Sequence, residues 1–302
     1  YIAFASQDDG EYNLYLYDVA EETIDTIFDA SVEGVVTAIV WSPNGQYIAF
    51  NVGADEQVDT WVVNLEDGIP QNLTISVDGM SSLPTWSSDS EFIYISNRES
   101  ASVPQSQLWQ LNIITAEATQ LTDDDRCYAD PRVSPDDNTI LFLSLFNCEL
   151  YYAGLYSYDL TTGDVSVILY GSILDFAYSE ENIITAELIN SDAGYFSVLA
   201  NFSDRVRQNI ASFTLIGDIA LSLDGAQVVV TDSCAEFITS QIVMVDIEAL
   251  TVTEVTNCEE NASAVSSDWS PDSTTIAYQS EGDIWLYDVA STDHTNLTES
   301  LH

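Results

Sequence analysis

The sequence has no lysine and only two histidines. Fifty acidic residues face five basic ones, which gives a formal net charge of -45 at pH 7. Binding to nucleic acid depends on basic side chains that displace counterions from phosphates, so this balance argues against a nucleic-acid partner. Repulsion also disfavours anionic membrane surfaces. We interpret the acids as a solvated surface. The five bases are Arg98, Arg126, Arg132, Arg205 and Arg207.

Long apolar runs and catalytic motifs are missing as well. No stretch approaches the roughly 18 apolar residues of a membrane span, so we expect no direct membrane insertion. Nucleophilic catalysis needs a base beside the nucleophile, but His294 and His302 are the only histidines and no G-x-S-x-G motif occurs. These absences predict a protein that is not an enzyme and needs no cofactor. Hydrophobic residues make up 46% of the chain, which is enough for a folded core.

What the sequence does contain is an internal repeat. The tetrapeptide Tyr-Ile-Ala-Phe occurs at residues 1–4 and again at 47–50, and Thr-Ile-Ala-Tyr follows at 275–278. A turn marker of the form Trp-Ser-Pro-Asp/Asn-Gly recurs in clear or degraded copies, and its serines are spaced about 45 residues apart. These serines are Ser42, Ser87, Ser134, Ser179, Ser222 and Ser270. A Leu/Trp/Tyr-rich segment ending in Asp or Asn follows each apolar run, so we count seven copies of the unit.

Each copy is predicted to form four short antiparallel strands, a to d. The runs are rich in aromatic and β-branched residues, and Gly, Pro, Asn, Asp and Ser separate them. The marker supplies the turn between strands a and b, because Pro presets φ, Asp or Asn accepts backbone hydrogen bonds and Gly tolerates positive φ. No helical period interrupts the series. The sequence therefore predicts one all-β domain over residues 1–302.

These motifs resemble those of the TolB-like and WD40-like PD40-repeat family, with its W-S-P-D-G turn, I-A-F strand, I-W/Y-x-x-D strand and closing L-T. The resemblance implies a β-propeller of four-stranded antiparallel blades, and the seven copies of the unit predict seven blades. The alternative is a six-bladed ring with a divergent extra unit, because TolB-type propellers typically have six blades and residues 172–211 have lost most of the signature. Tyr1 falls inside strand b of the first unit. We therefore expect an incomplete first blade and a chain that belongs to a longer protein.

The four cysteines are predicted to form two disulfides, Cys127 to Cys148 and Cys234 to Cys258. In the predicted strand order, the b-to-c and d-to-a loops share one face, and all four cysteines fall in those loops. Oxidised pairs imply an extracellular, cell-surface or periplasmic location. The alternatives are four buried thiols or a metal site. The two pairs lie in different units and lack a C-x-x-C spacing, which disfavours zinc.

Acidic residues gather in the same loops, where carboxylate oxygens could hold Ca²⁺. No segment matches a D-x-D-x-D-G loop with a terminal Glu, so solvated loop acids are the favoured interpretation. The acids are Asp8, Asp9, Glu11, Asp123, Asp124, Asp125, Glu259 and Glu260.

Two further groups of residues have alternative interpretations. Trp41, Trp86 and Trp269 could form a sugar-binding platform, but their repeated position on strand a favours packing between units, and the same holds for the strand c residues Trp61, Trp109 and Trp285. Four asparagines open N-x-S/T sequons and are candidate glycosylation sites. They are Asn72, Asn201, Asn261 and Asn296.

Three functional hypotheses follow. The first is a non-enzymatic scaffold or interaction module that binds a protein partner or neighbouring subunits in an extracellular assembly. The second is a non-catalytic gating or docking propeller of a larger prolyl-oligopeptidase-like hydrolase. The third is an enzyme that uses carboxylates or Ca²⁺. The near absence of catalytic residue types favours the first.

Overall fold

A computed structural model shows an all-β chain, as the sequence predicts. It describes residues 1–8, 11–30, 34–54, 57–145, 148, 153–179, 182–190, 195–202, 207–213, 216–234, 239–258 and 263–298. These residues form 28 strands, and none of them lies in an α-helix. In this part of the chain there is accordingly no helix that could cross a membrane. The chain divides into two compact units, residues 1–170 and 171–302.

The first unit contains three sheets, and in the first and third the strands follow one another in sequence order, whereas in the second β8 lies between β6 and β10. The first sheet has three strands, β1 (Ile2–Asp8), β2 (Glu11–Asp18) and β3 (Thr23–Phe28). The second sheet has nine: β4 (Val35–Trp41), β5 (Tyr47–Ala54), β6 (Gln57–Asn64), β7 (Pro70–Asn72), β8 (Met80–Ser81), β9 (Thr85–Trp86), β10 (Phe92–Arg98), β11 (Gln107–Asn112) and β12 (Ala118–Gln120). The third has β13 (Tyr128–Val133), β14 (Thr139–Leu145), β15 (Ala153–Asp159) and β16 (Val165–Leu169).

The second unit contains three four-stranded sheets with the same sequential order. The first has β17 (Ile173–Tyr178), β18 (Asn182–Asn190), β19 (Tyr195–Phe202) and β20 (Arg207–Phe213). The next has β21 (Ile216–Leu221), β22 (Gln227–Ser233), β23 (Ser240–Asp246) and β24 (Thr251–Glu254). The last has β25 (Ala264–Trp269), β26 (Thr275–Ser280), β27 (Asp283–Asp288) and β28 (His294–Asn296). Neighbouring strands within each of these sheets are antiparallel.

The nine-stranded sheet consists of two repeats that share hydrogen bonds. Strands β4 to β7 form the first repeat and β8 to β12 the second. The link between them is a parallel pairing of Val58 with Met80, in which the Val58 N–H donates to the Gly79 carbonyl at 2.9 Å.

The hydrophobic core lies between consecutive repeats. Phe28 of the first sheet packs with Ile48 and Phe50 of the next repeat, and all three are almost fully buried. The marker tryptophans join neighbouring repeats as expected: Trp86 Nε1 donates to the Val40 carbonyl at 3.2 Å, and Trp269 Nε1 donates to the Ala220 carbonyl at 3.1 Å. A buried indole that finds such a partner is stable in a core.

The recurrent Ser-x-Asp/Asn marker forms the same hydrogen-bonded turn in five copies, and the sixth, at Ser179, continues into residues outside the described ranges. In the turn at Ser134, the hydroxyl donates to Asp136 at 2.6 Å and accepts from the Thr139 N–H at 3.0 Å. The hydrogen bond from Ser134, followed by those from the side chain and backbone of Asn138, favours the charged carboxylate and lowers the pKa of Asp136 to about 2. Turns at Ser42, Ser87, Ser222 and Ser270 repeat the serine bond. Many acids of the chain are therefore structural turn residues.

Candidate functional site: the disulfide-bearing loop face

The loops after the second and fourth strands of each repeat leave the same edge of the sheet, because the strands are antiparallel. We call this edge of each sheet its loop face. The structure joins Cys127 to Cys148 and Cys234 to Cys258 here, the two pairs that the sequence predicts, with Cα–Cα distances of 5.4 and 5.8 Å. All four cysteine sulfurs are therefore in disulfides and not in a metal site. Each bond closes a loop of more than twenty residues, which corresponds to about 3 kcal/mol of stabilisation in the chain-entropy model.

The closing Leu-Thr motif builds a polar network at the start of this face. Thr74 Oγ1 accepts a hydrogen bond from the Thr60 N–H at 2.9 Å and donates to Asp59 Oδ1 at 3.0 Å. Asn72 completes the network, because its Nδ2 donates to Asp59 Oδ2 and its Oδ1 accepts from the Thr74 N–H. The last repeat has the same arrangement of Asp283, Asn296 and Thr298.

This network determines where two of the four sequons lie. The amide nitrogens of Asn72 and Asn296, the atoms that would carry a glycan, donate to Asp59 at 3.0 Å and to Asp283 at 2.9 Å. Both asparagines are half-buried structural residues. The third, Asn201, belongs to β19, but its side chain lies outside the described residues, as does the whole of Asn261.

A long loop between β7 and β9 is fixed to the loop face by buried amide side chains. Asn51, which is 2% exposed, donates to the Ser82 carbonyl at 2.8 Å. Asn97 donates to the Asp78 carbonyl at 2.9 Å, and Gln57 accepts from the Gly79 N–H at 2.9 Å. These anchors are not among the predicted site residues. Polar residues inside otherwise apolar strand runs were the signal that could have revealed them.

Gly79 is required by the geometry of that loop. Its φ is +119°, and a Cβ at this position would lie 2.2 Å from the carbonyl oxygen of Arg98. Only glycine combines this backbone conformation with so close an approach. The loop and strand β10 are therefore held in backbone contact.

Of the predicted acidic candidates, Asp124 forms an ion pair with Arg126, although its side chain is 39% exposed. Its Oδ2 accepts from Arg126 Nη1 at 2.9 Å and from the Tyr128 hydroxyl at 3.0 Å, while Oδ1 accepts from the Arg126 N–H at 2.9 Å. Burial of Tyr128 raises its pKa, so it remains a neutral donor. Asp123 and Asp125 are exposed neighbours.

The other predicted Ca²⁺ candidates cannot be placed. Asp9, Glu259 and Glu260, like the side chains of Asp8 and Glu11, lie outside the described residues. Within the part of the chain that is described, no three His, Cys, Asp or Glu side chains come together in a group able to hold a metal ion.

Two buried carboxylates near this face in the second unit were not predicted. Glu187 is 5% exposed and accepts from the Thr185 hydroxyl at 2.9 Å. Asp232 is 7% exposed and accepts from Gln241 Nε2 at 3.2 Å. They lie on β18 and β22, towards the loop-face ends of those strands. Buried acids with polar partners fix side-chain positions.

The opposite edge, which we call the turn face, is built differently. It carries the Ser-x-Asp/Asn turns and, in the six repeats where this segment is described, a second recurrent turn after the third strand. In that turn, Asp159 Oδ1 accepts from the N–H groups of Thr161 and Thr162, and Asp18 makes the equivalent bonds to Ala20 and Glu21. In the described residues, the turn face therefore repeats two local turns, whereas on the loop face the closing network recurs but the disulfides and the buried amide anchors belong to particular repeats.

Comparison with solved structures shows the fold. A prolyl endopeptidase structure superposes with a TM-score of 0.74 at 12% identity, and the match covers 97% of this chain and 49% of that one. The chain thus spans about half the length of that enzyme. TolB from Acinetobacter baumannii gives a TM-score of 0.61 at 16% identity, covering 97% of this chain and 77% of that one.

An oligogalacturonate lyase from Vibrio parahaemolyticus is also similar, with a TM-score of 0.74 at 14% identity over 97% of this chain and 87% of that one. No curated protein matches the sequence. The family model for the PD40 repeat, described as the TolB beta propeller domain, matches residues 1–175, which is more than half of the 302 residues. The chain belongs to the PD40 family of TolB-like β-propeller proteins.

Proposed function

We propose that the chain is a non-enzymatic β-propeller of seven blades that acts outside the reducing cytoplasm as a protein-interaction or scaffold module, with the loop face as its binding surface. The observation that carries this proposal is the contrast between the two edges of the sheets. Two disulfides and a loop anchored by buried amides occur at one edge in particular repeats, while the described part of the other edge repeats the same two turns. Specific recognition needs a surface that is both varied and rigid.

Seven blades follow from counting repeats and not sheets. The nine-stranded sheet contains two repeats, each with its own Ser-x-Asp/Asn turn, at Ser42 and Ser87. The remaining sheets contribute one repeat each, and the first of them has three strands. This grouping, with three strands in the first sheet, supports the seven-bladed assignment over the six-bladed alternative.

A non-enzymatic role is supported by the hydrogen bonds and ion pair in which many of the described aspartates take part. Asp89, Asp136, Asp224 and Asp272 hold turns, Asp59 and Asp283 hold the closing network, and Asp124 pairs with Arg126. A general acid or base must be free to exchange a proton with a substrate. The hydrogen bonds from serines instead lower the pKa values of the four turn aspartates.

The proposed location rests on the disulfides and is tested by their contribution to folding. Double replacement Cys234→Ala/Cys258→Ala should lower the free energy of unfolding by about 3 kcal/mol in urea denaturation under oxidising conditions. In excess dithiothreitol, wild type and variant should become equally stable at this site. A wild type that is indifferent to reductant and to the double replacement would contradict dependence on an oxidising compartment.

The binding surface is tested by matched substitutions at the two edges. Ile75 and Tyr170 lie on the loop face and are 81% and 73% exposed. Ile69 and Ile114 lie on the turn face and are 65% and 74% exposed. The variants Ile75→Asp/Tyr170→Asp and Ile69→Asp/Ile114→Asp therefore make the same kind of change on opposite edges.

Each protein is immobilised at equal density and exposed to cell-envelope and secreted proteins of the source, and bound proteins are quantified by mass spectrometry. We expect one set of proteins to be enriched by the wild type and the turn-face variant and lost with the loop-face variant. Equal retention by both variants, or no enrichment by the wild type, would reject the loop face as a binding surface.

A second candidate is a non-catalytic gating or docking propeller of a larger hydrolase. It is favoured by the similarity to the prolyl endopeptidase, of which the chain covers 49%. Sequencing the complete gene tests this candidate. A hydrolase domain with a G-x-S-x-G motif in the same reading frame would support it, and a gene without such a domain would eliminate it.

A further inference from the structure

The chain has two methionines, and their surroundings differ. Met244 is 8% exposed and lies in a hydrophobic core cluster of the second unit. Met80 is half-buried at the loop face, in the short strand β8. A thioether that a peroxide can reach is open to oxidation, whereas a thioether packed in a core is shielded from it. The two sulfurs should therefore differ in reactivity.

A cation lies against the Met80 sulfur. Arg98 Nη2 donates to Met80 Sδ at 3.1 Å. Two other arginines, Arg126 and Arg132, each pair with an aspartate two residues earlier. Arg98 forms no ion pair with a carboxylate in the described part of the chain, although the sequence contains 50 acidic residues. Its guanidinium can therefore donate to an oxygen atom that is added to the sulfur.

The backbone holds these two side chains together. Met80 and Arg98 lie directly opposite each other in the antiparallel pairing of β8 with β10. The Arg98 carbonyl approaches Gly79 so closely that a Cβ there would lie 2.2 Å from the carbonyl oxygen. Met80 also pairs with Val58, whose N–H donates to the Gly79 carbonyl. Opposite side chains on neighbouring strands share one face of a sheet, so the pairing keeps the sulfur beside the guanidinium.

We propose that Met80 is a stereoselective oxidation site, at which a hydroperoxide converts the thioether to a sulfoxide whose oxygen is held by Arg98. The sulfur gives an electron pair to one peroxide oxygen, and the O–O bond breaks. The proton of the transferred hydroxyl passes to the departing oxygen, which leaves as an alcohol or, from hydrogen peroxide, as water. Arg98 favours this step because a guanidinium stabilises the negative charge that develops on the departing oxygen. This inference does not depend on the proposed function.

The contact also predicts the configuration of the product. Oxidation makes the sulfur a stereocentre, and oxygen added from opposite sides gives opposite sulfoxide epimers. Arg98 Nη2 approaches the Met80 sulfur from one side, so the oxygen that it can hold belongs to one epimer. A methionine that is merely exposed has no such preference. The epimer composition therefore separates a role of Arg98 from simple accessibility.

Hydrogen peroxide is the probe, applied to the folded protein, and oxidation of each methionine is followed by mass spectrometry of proteolytic peptides. We expect Met80 to be oxidised about tenfold faster than Met244. The peptides that carry Met80 sulfoxide are then treated separately with the two methionine sulfoxide reductases, each of which acts on one epimer. One reductase should repair nearly all of the wild-type sulfoxide, and the other almost none.

Two matched variants test the contact itself. Arg98→Leu removes the charge and every donor beside the sulfur, so both epimers should form and each reductase should repair a part. Arg126→Leu removes another loop-face cation, one that pairs with Asp124, and should keep the wild-type selectivity. Equal oxidation rates of Met80 and Met244 would overturn the proposal. A mixture of epimers in the wild type, a single epimer in Arg98→Leu or lost selectivity in Arg126→Leu would overturn it as well.

Discussion

The hydroxyl of Thr298 donates a 2.7 Å hydrogen bond to Oδ1 of Asp283, and Thr74 makes the same contact with Asp59 more than two hundred residues earlier in the chain. In both repeats the threonine oxygen also accepts from a backbone N–H, of Ile284 and Thr60 respectively. The closing Asn-Leu-Thr motif, which in the sequence looks only like the end of a strand, thus forms with an aspartate a three-residue hydrogen-bonded link between the third and fourth strands. Its members contribute to stability in ways that can be measured.

Replacing Thr74 by Val should destabilise the protein. The change keeps the shape of this 1% exposed side chain but leaves the Thr60 N–H without its partner. It also removes one of the two hydrogen bonds that Asp59 Oδ1 accepts, the other being from Gln57 Nε2. We expect a loss of about 1–3 kcal/mol in urea denaturation. Thr74→Ser should recover most of it. Thr253→Val on the exposed strand β24 is the control and should change stability by less than about 0.5 kcal/mol.

Replacing Asp136 by Asn should reduce the acid sensitivity of the fold without breaking its turn. Asn44 already performs this role in another repeat, where it accepts from Ser42 at 2.8 Å. The pKa of Asp136 in the folded protein, about 2, is below the ordinary value of 3.8, so its contribution is present above pH 4 and is lost as the pH falls towards 2.

The stability difference between wild type and Asp136→Asn should therefore shift in favour of the variant as the pH is lowered from 5 to about 2. Urea denaturation at several pH values measures this difference. Asp293→Asn, at an exposed aspartate, provides the comparison for the loss of one negative charge. Parallel pH profiles of wild type and Asp136→Asn would contradict the assignment of Asp136 as a charged turn residue.

Gly79 and Gly45 form a natural pair for testing the anchored loop. Both have positive φ, but a Cβ at Gly45 meets nothing within 4 Å, whereas one at Gly79 collides with the Arg98 carbonyl. Gly45→Ala should cost about 1 kcal/mol, the penalty of the backbone conformation alone. Gly79→Ala should cost clearly more and should increase hydrogen exchange of the Val58 N–H. Equal effects of the two substitutions would show that the loop is not held against β10.

The net charge of -45 predicts stability that depends on ionic strength. Raising NaCl from 10 mM to 1 M shortens the Debye length from about 30 Å to about 3 Å and should raise the melting temperature by screening repulsion between carboxylates. Calorimetry measures the effect. At pH 4, where many carboxylates are protonated, the same salt change should have a smaller effect. A salt dependence that is identical at both pH values would point to a general effect of salt on burial of apolar surface.

The repeat made the fold readable from sequence because each local signal has one physical cause. Ser42 and its equivalents mark turns, the apolar runs mark second strands, and Cys127 to Cys148 and Cys234 to Cys258 follow from loops that share an edge. The same reasoning could not distinguish the acidic residues that form structural contacts from those that do not. Asp124 and Asp125 are adjacent in sequence, and only the three-dimensional positions of Arg126 and Tyr128 decide that Asp124 is the one that forms the ion pair.

The hydrogen-bond partners of the loop-face anchors could not be predicted from the sequence, for a different reason. Asn51 and Asn97 interrupt apolar strands, but their partners are backbone carbonyls of Ser82 and Asp78, some 31 and 19 residues away. A carbonyl has no sequence signature. Such contacts can be found only once the path of the chain between the strands is known.

The parallel contact of Val58 with Met80 has a mechanical meaning. Two neighbouring repeats share one continuous hydrogen-bonded network there, so neither can come apart without exposing backbone groups of the other. Repeats elsewhere in the chain that meet through side chains can open one at a time, whereas these two should unfold together as a single cooperative block.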